Sequence, residues 1–250
     1  MLNKLASKPF TKKNVLITCG PTWVAIDDVR VISNRSTGQL GQHLAQNFKK
    51  QGAHVTLLEG PVAHPLKANG IRIIKFNFYD ELKQKLHQEL TKKYDVIIHA
   101  AAVSDYVPEK QHKGKIKSNL SSLSLRLRPA AKLINFIKRW QPKGFLIGFK
   151  LEENLNKSVI AKATQSLFKQ AKCDLVVANS LKGSTYKGFM VIELPSANKN
   201  FKSPASVGNE GGRFKVGKKK LNNSKYKILD QANSRQELGR RLIKILETKI

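Results

Sequence analysis

Apolar runs alternate with helical patterns along the first two thirds of this chain. Asn14-Val15-Leu16-Ile17-Thr18-Cys19 is a short apolar run that stops at Gly20-Pro21, which predicts a buried strand followed by a turn. A helix is expected from Gln39, with Leu40, Leu44, Ala45 and Phe48 on one face and Gly52 as its stop. Strands follow at 54–58 and 71–76, a helix at 79–92, a strand at 95–102, a helix at 133–140, a strand at 145–150, a helix at 159–170 and a strand at 174–178. Ser122-Leu123-Ser124-Leu125-Arg126-Leu127-Arg128 alternates strictly and predicts a further strand, apolar on one face. Residues 196–212, rich in Ser, Asn and Gly, read as a mobile loop within a basic stretch of about 196–224. Two basic strands are expected at 213–220 and 225–229, and a closing helix at 235–247. Such alternation predicts an α/β fold: a doubly wound, mostly parallel, Rossmann-like sheet with helices on both faces, ending in a basic β-rich extension. Ligands of such sheets bind beyond the C-terminal ends of the strands, so 20–41, 100–117 and the segment from Phe149 onward are the places to look for chemistry.

Composition narrows the partners. The chain has 250 residues, 40% of them hydrophobic, enough for one large domain with its own core. Its two cysteines, Cys19 and Cys173, are too few for a disulfide framework and read as reduced core residues, which points to a cytoplasmic protein. No apolar run reaches the roughly 20 residues of a membrane span, so no membrane partner is expected. The net charge of +29 permits two readings, a nucleic-acid-associated protein or an enzyme of small polyanions. The basic residues are spread along the chain without interleaved aromatics, which argues against a specific nucleic-acid platform. The six histidines show no metal-ligand spacing, so no protein-held metal is predicted.

The most informative segment is Ile32-Ser33-Asn34-Arg35-Ser36-Thr37-Gly38-Gln39-Leu40-Gly41, a polar turn opening a helix. Free backbone N–H groups at a helix start hold a phosphate or carboxylate without a charged side chain. An NAD(P)-dependent oxidoreductase is one reading, with Glu59 at the end of the second strand as the ribose carboxylate. That fingerprint keeps its glycines in one tight turn, however, whereas about 18 residues separate Gly20 from Gly38. The Gly38/Gly41 pair reads equally as close helix packing, and Glu59 equally as a solvent-facing residue before Gly60-Pro61.

Taken together, the motifs resemble the phosphopantothenoylcysteine synthetases (phosphopantothenate–cysteine ligases) of coenzyme A biosynthesis. The likeness runs over about 14–195 through Val15-Leu16-Ile17-Thr18, Gly20-Pro21-Thr22, Ile26-Asp27-Asp28-Val29-Arg30 and Ile32 to Gly38. It continues through His99-Ala100-Ala101-Ala102-Val103-Ser104-Asp105-Tyr106, Lys115-Ile116-Lys117, Gly148-Phe149-Lys150-Leu151 and Asp174 to Asn179. The resemblance implies a single synthetase domain over 1–250, a monofunctional form without the flavin-dependent decarboxylase and so without FMN, and a homodimer. It also implies a two-step reaction. The carboxylate of 4'-phosphopantothenate attacks the α-phosphate of CTP, or of ATP, and releases pyrophosphate; the amine of cysteine then displaces the nucleotide from the acyl-nucleotide. Mg²⁺ would arrive with the triphosphate.

The resemblance also implies residue roles. Lys115 matches the first lysine of a mobile Lys-x-Lys-Lys flap, here about 106–121, and would neutralise the α-phosphate; Lys117 matches the third position and Ser118 replaces the last lysine. Asn34 matches the asparagine that holds the acyl-nucleotide, its neutral amide donating to a carbonyl oxygen that becomes an oxyanion. Ala101, Asp105, the segment Ala131-Lys132-Leu133-Ile134 and Phe149 match nucleotide contacts, the 131–134 segment chiefly through backbone. Gly20, Ser36, Thr37 and Gly38 line the expected phosphate site, with Pro21 in place of a second glycine. Lys169 and Lys172 are out of register with the family's other nucleotide-binding lysines.

Overall fold

The computed structural model describes residues 8–183, 185–194 and 225–250. Its centre is an eight-stranded sheet. In chain order the strands are β1 (Asn14–Cys19), β2 (Trp23–Ala25), β3 (Val31–Ser33), β4 (His54–Glu59), β5 (Ile71–Lys75), β6 (Val96–His99), β7 (Tyr106–Pro108), β8 (Leu127–Pro129), β9 (Phe145–Leu151), β10 (Leu175–Lys182), β11 (Thr185–Glu193) and β12 (Tyr226–Ala232). The helices are α1 (Gln39–Lys50), α2 (Tyr79–Glu89), α3 (Ile134–Trp140), α4 (Lys157–Lys169) and α5 (Arg235–Glu247). The sheet order is β12-β11-β10-β9-β6-β1-β4-β5, with β2–β3 and β7–β8 as separate two-stranded ribbons.

The six strands β10-β9-β6-β1-β4-β5 pair in parallel. Counted along the chain they run 6-5-4-1-2-3 across the sheet, the doubly wound Rossmann order, whose direction reverses between β1 and β6. Alternation within the buried strands divides the core into two. Val15 and Ile17 of β1, Val96 and Ile98 of β6, and Leu175 and Val177 of β10 join Leu44 and Phe48 of α1 and Leu238, Leu242 and Leu246 of α5 on one face. Leu16, Ile97 and Val176 join Leu82 and Leu86 of α2, Ile137 of α3, and Ile160 and Phe168 of α4 on the other. Each such aliphatic side chain, fully buried, contributes about 1.5–3 kcal/mol.

The expected β-rich C-terminal extension is instead part of this sheet: β11 and β12 continue it antiparallel from the β10 edge. β11 has no counterpart in the sequence reading, because Gly188 and a register shift at Met190/Val191 break its alternation. The strand expected over 122–128 is reduced to Leu127–Pro129 on β7. Leu123, Leu125 and Leu127 are 50%, 39% and 42% exposed, so their periodicity faces no core. The strand expected at 213–220 and the loop at 196–212 lie outside the described residues.

α1 sits close against β1 because Gly41 faces Cys19; a methyl group at 41 would overlap the Cys19 Cβ. Gly41→Ala should therefore destabilise the fold by about 1–3 kcal/mol, read as a lower urea midpoint at unchanged m-value. An unchanged midpoint would show that the helix can shift freely.

Candidate functional site

The crevice beyond β1 and β6 is built from the segments that leave those two strands. β1 ends in Gly20, at φ +79°, and α1 is capped by Gly38, at φ +71°. A Cβ on Gly38 would lie 2.8 Å from Val62 Cγ1 and 3.4 Å from the Gly20 nitrogen, so the two glycines meet backbone to backbone. The intervening residues leave as the β2–β3 hairpin and return, and α1 thus begins beside the end of β1 as if the excursion were absent. No side chain caps α1 and its first turn carries no acidic residue, while Lys49 and Lys50 occupy its last turn. Its first N–H groups thus have no side-chain acceptor, a geometry that can accommodate an anion.

The β6 exit is stitched to the same hairpin. Ala102 N–H donates to Gly20 O at 2.9 Å, and buried Thr22 and Ser104 share a hydroxyl bond of 3.0 Å, with Ser104 N–H also donating to Thr22 Oγ1 at 3.0 Å. Asn34 Nδ2 donates to the carbonyls of Ala102 and Val103 at 3.1 and 3.2 Å. Carbonyl oxygens only accept, so this orientation of the amide is fixed; its hydrogens are taken and do not serve as the expected donors to an oxyanion, and Oδ1 is the atom left for a ligand.

Asp105 is exposed and ion-paired to Lys132, while its carbonyl accepts from Ala130 N–H at 2.8 Å, which joins two expected nucleotide contacts. Tyr79 Oη donates to Ala131 O at 2.7 Å. Leu133 and Ile134 are buried in the core, leaving their backbone for any contact; Phe149 is half-buried on β9. Ala101 N–H donates to Thr18 Oγ1 at 3.2 Å. Ser36 is half-buried, Thr37 exposed, and Ser36 N–H donates to Asn34 O at 3.0 Å. Lys115 and Lys117 are exposed, without hydrogen bonds or ion pairs to their side chains among the described residues. The structure joins Asn34 to the β6 exit, Gly20 to Gly38 and Asp105 to Lys132; among the described residues no hydrogen bond or ion pair links the Lys115 side chain to any of these.

Three groups mattered more than their sequence context suggested. Glu59 is neither solvent-facing nor a ribose ligand. It is fully buried, accepting from Gln42 Nε2 at 2.7 Å and Leu66 N–H at 3.0 Å and ion-paired to Lys75. A carboxylate so enclosed cannot receive a dinucleotide ribose, which removes the oxidoreductase reading. Asp27, also buried, accepts from Val29 N–H (2.9 Å), Arg30 N–H (2.6 Å), Arg30 Nη1 (2.8 Å) and Ile116 N–H (3.0 Å). Burial alone would raise its pKa; the amides of Ile116, Val29 and Arg30 and the Arg30 charge outweigh it and hold it down to about 2. Only its place in the Ile26–Arg30 motif marked it. His99, read as a packing residue, is buried and shares a 3.0 Å hydrogen bond with Thr18 Oγ1; burial lowers its pKa to about 4. Among the described residues no group of three or more His, Cys, Asp or Glu side chains is placed to hold a metal, and no helix is long and apolar enough to cross a membrane.

The fold and crevice define a doubly wound α/β domain whose first crossover helix begins, without a side-chain cap, at the switch point. Residues 10–193 match the family described as the DNA/pantothenate metabolism flavoprotein C-terminal domain, and the chain belongs to that family. The coenzyme A biosynthesis bifunctional protein CoaBC of Thermococcus kodakarensis is 38% identical over 183 residues, covering 73% of this chain and 45% of that protein. The chain thus spans about half the length of this curated relative. Of solved structures, the DNA/pantothenate metabolism flavoprotein from Streptococcus pneumoniae superposes with a TM-score of 0.73 at 23% identity, covering 95% of this chain and all of the other. A Cab2 mutant, H337A, solved as a complex with phosphopantothenate-cysteine, superposes at 0.66 with 19% identity, covering 95% of this chain and 87% of that one.

The folded protein holds His99 neutral, whereas the unfolded chain protonates it near 6.5, so acid favours unfolding. Stability should fall as pH drops from about 6.5 toward about 4 and level below, His99 contributing on the order of 3 kcal/mol. Denaturant titrations of His99→Gln should lack the His99 part of this slope between pH 6.5 and 5; an unaltered slope would refute the assignment.

Proposed function

We propose that this chain joins 4'-phosphopantothenate to cysteine through an acyl-nucleotide formed from CTP or ATP. The observation that carries the reading is the uncapped start of α1, placed by Gly20 and Gly38 at the β1/β6 switch point beside Asn34. The similarity to CoaBC supports it.

A carboxylate does not acylate an amine at neutral pH, because oxide is a poor leaving group. In the first step the substrate carboxylate attacks the α-phosphorus, forming the acyl–phosphate bond as the bond to pyrophosphate breaks. Negative charge grows on the phosphoryl oxygens, where the α1 N–H groups and Lys115 act as fixed donors. Lys117 adds charge at the same segment, while Asp105, Lys132, the backbone of 131–134 and Phe149 hold the nucleotide. Magnesium enters as the metal–nucleotide substrate, its sphere completed by phosphate oxygens and water. In the second step the amine of cysteine attacks the acyl carbon, the nucleoside monophosphate leaves, and the amine's proton passes to the departing phosphate or to water. With its amide hydrogens spent on Ala102 and Val103, Asn34 offers the incoming amine an acceptor, Oδ1. On this reading CTP is the preferred triphosphate, and the enzyme works in the cytoplasm as a homodimer.

Incubation with 4'-phosphopantothenate, Mg²⁺ and CTP or ATP should release pyrophosphate, and added cysteine should release the nucleoside monophosphate. No pyrophosphate with any triphosphate would overturn the reading. Lys115→Gln should slow pyrophosphate release by about 100-fold or more, the loss typical of one charge-stabilising donor. Asn34→Asp, which turns a carboxylate toward two carbonyl oxygens, should instead let the acyl-nucleotide accumulate, seen by mass spectrometry. Normal turnover in both variants would refute the residue roles.

A further inference from the structure

Lys115 stands in the long irregular connection between β7 and β8, yet the backbone around it is fastened at alternate residues to the turn of the β2–β3 hairpin. His112 N–H donates to Ile26 O at 3.0 Å. Gly114 N–H donates to Asp28 Oδ2 at 2.9 Å, and Asp28 N–H to Gly114 O at 3.4 Å. Ile116 N–H donates to Asp27 Oδ2 at 3.0 Å, Arg30 Nη1 donates to Ile116 O at 3.3 Å, and the Ile116 side chain is buried. Between these attached residues stand Lys113 and Lys115, and Lys117 follows the last of them, all three exposed. The attachment therefore selects a register, since a slip of one residue would exchange the attached positions for the lysine positions.

We propose that Asp27, aided by Asp28, is the positioning residue that fixes Lys115 relative to Asn34, so that the elements serving the two half-reactions ride on one hairpin. This rests on the role proposed for Lys115. Arg30, which bonds both Asp27 and Ile116, leads directly into β3, and Asn34 follows β3 immediately. A connection of this length would otherwise sample many positions for the lysine, at an entropic cost to each productive encounter. The bond from Ile116 N–H to Asp27, with that from Arg30 to Ile116 O, restricts that freedom, while the bonds from Val29 and Arg30 hold Asp27 itself in place. Asp27→Asn keeps the side-chain shape but exchanges one acceptor oxygen for a donor, and so sets N–H against N–H at Ile116, Val29 or Arg30. Asp27 touches no substrate in this account and acts only through the segment it holds.

The test is pyrophosphate release measured without cysteine in the full chain. Asp27→Asn should lower the single-turnover rate constant of pyrophosphate release by about 100-fold, the loss that follows from a misplacement of about 1 Å, with a smaller change in the triphosphate concentration that half-saturates it. Asp28→Asn, at an exposed position, should lower it less and keep the melting temperature, which guards against an Asp27 variant that fails to fold. In the Lys115→Gln background Asp27→Asn should add no further slowing, because both changes remove one device. Hydrogen exchange of the unaltered protein should show the Gly114 and Ile116 amides protected, and protection at Ile116 lost in Asp27→Asn. Lys115→Gln slow with Asp27→Asn and Asp28→Asn both normal would overturn the proposal and leave the role of Lys115 standing. Additive slowing in the double variant, or unprotected amides in the unaltered protein, would also overturn it. A normal Lys115→Gln would remove the reading of Lys115 and this proposal with it.

Discussion

The meeting of Gly20 and Gly38 is the constraint on which the rest of the crevice depends. Both residues hold positive φ, and a methyl group on either would crowd Val62. Their contact lets the chain leave the sheet after β1, build the β2–β3 hairpin, and re-enter at the point where a short turn would have started α1. The uninterrupted fold needs only one tight glycine turn there. Here the same closure is made by two residues far apart in sequence, and Gly41 supplies the close helix–strand approach. The excursion is thus free to carry side chains of its own without displacing α1.

What the hairpin carries is held by polar groups that are themselves saturated. Thr22 and Ser104 satisfy each other in the interior, Asn34 spends its amide hydrogens on the β6 exit, and Asp27 accepts four bonds. A buried polar group left unmatched costs about 1–3 kcal/mol, so the buried Thr22–Ser104 and Asp27 sets each specify one arrangement of the excursion against many, while the exposed Asn34 adds two bonds at the surface. Exposed pairs such as Asp105–Lys132 are of another kind. Solvent screens them, and they yield to a ligand at little cost.

Strongly periodic segments were legible in the sequence. β1, α1, β4 and α5 lie where their apolar spacing put them, and the parallel order follows from their alternation. β11 was hidden by its bulge, and the three-residue strands β2, β3 and β7 are too short to show a period. The 122–128 segment failed in the opposite sense, since alternation makes a strand only where a partner strand and a core face are both available. At the site, Gly20, Gly38 and Asn34 were visible through motif and turn chemistry. The clamp of Asp27 on Ile116 and the burial of Glu59 were not. Each joins segments whose sequence separation no local pattern reports, and a carboxylate before a glycine turn reads the same whether it faces water or a lysine.

The closing helix adds a matter of timing. Leu238, Leu242 and Leu246 of α5 share a core with Leu44 and Phe48 of α1, and Gly239 brings α5 close to Asn47. α1 therefore gains its outer packing from a helix that follows every described strand of the sheet in sequence. Contacts so far apart along the chain form slowly, because a large loop must close before they repay its entropy. A nascent chain can complete β1, the hairpin and α1 early, yet the outer face of α1 is covered only once α5 has been made.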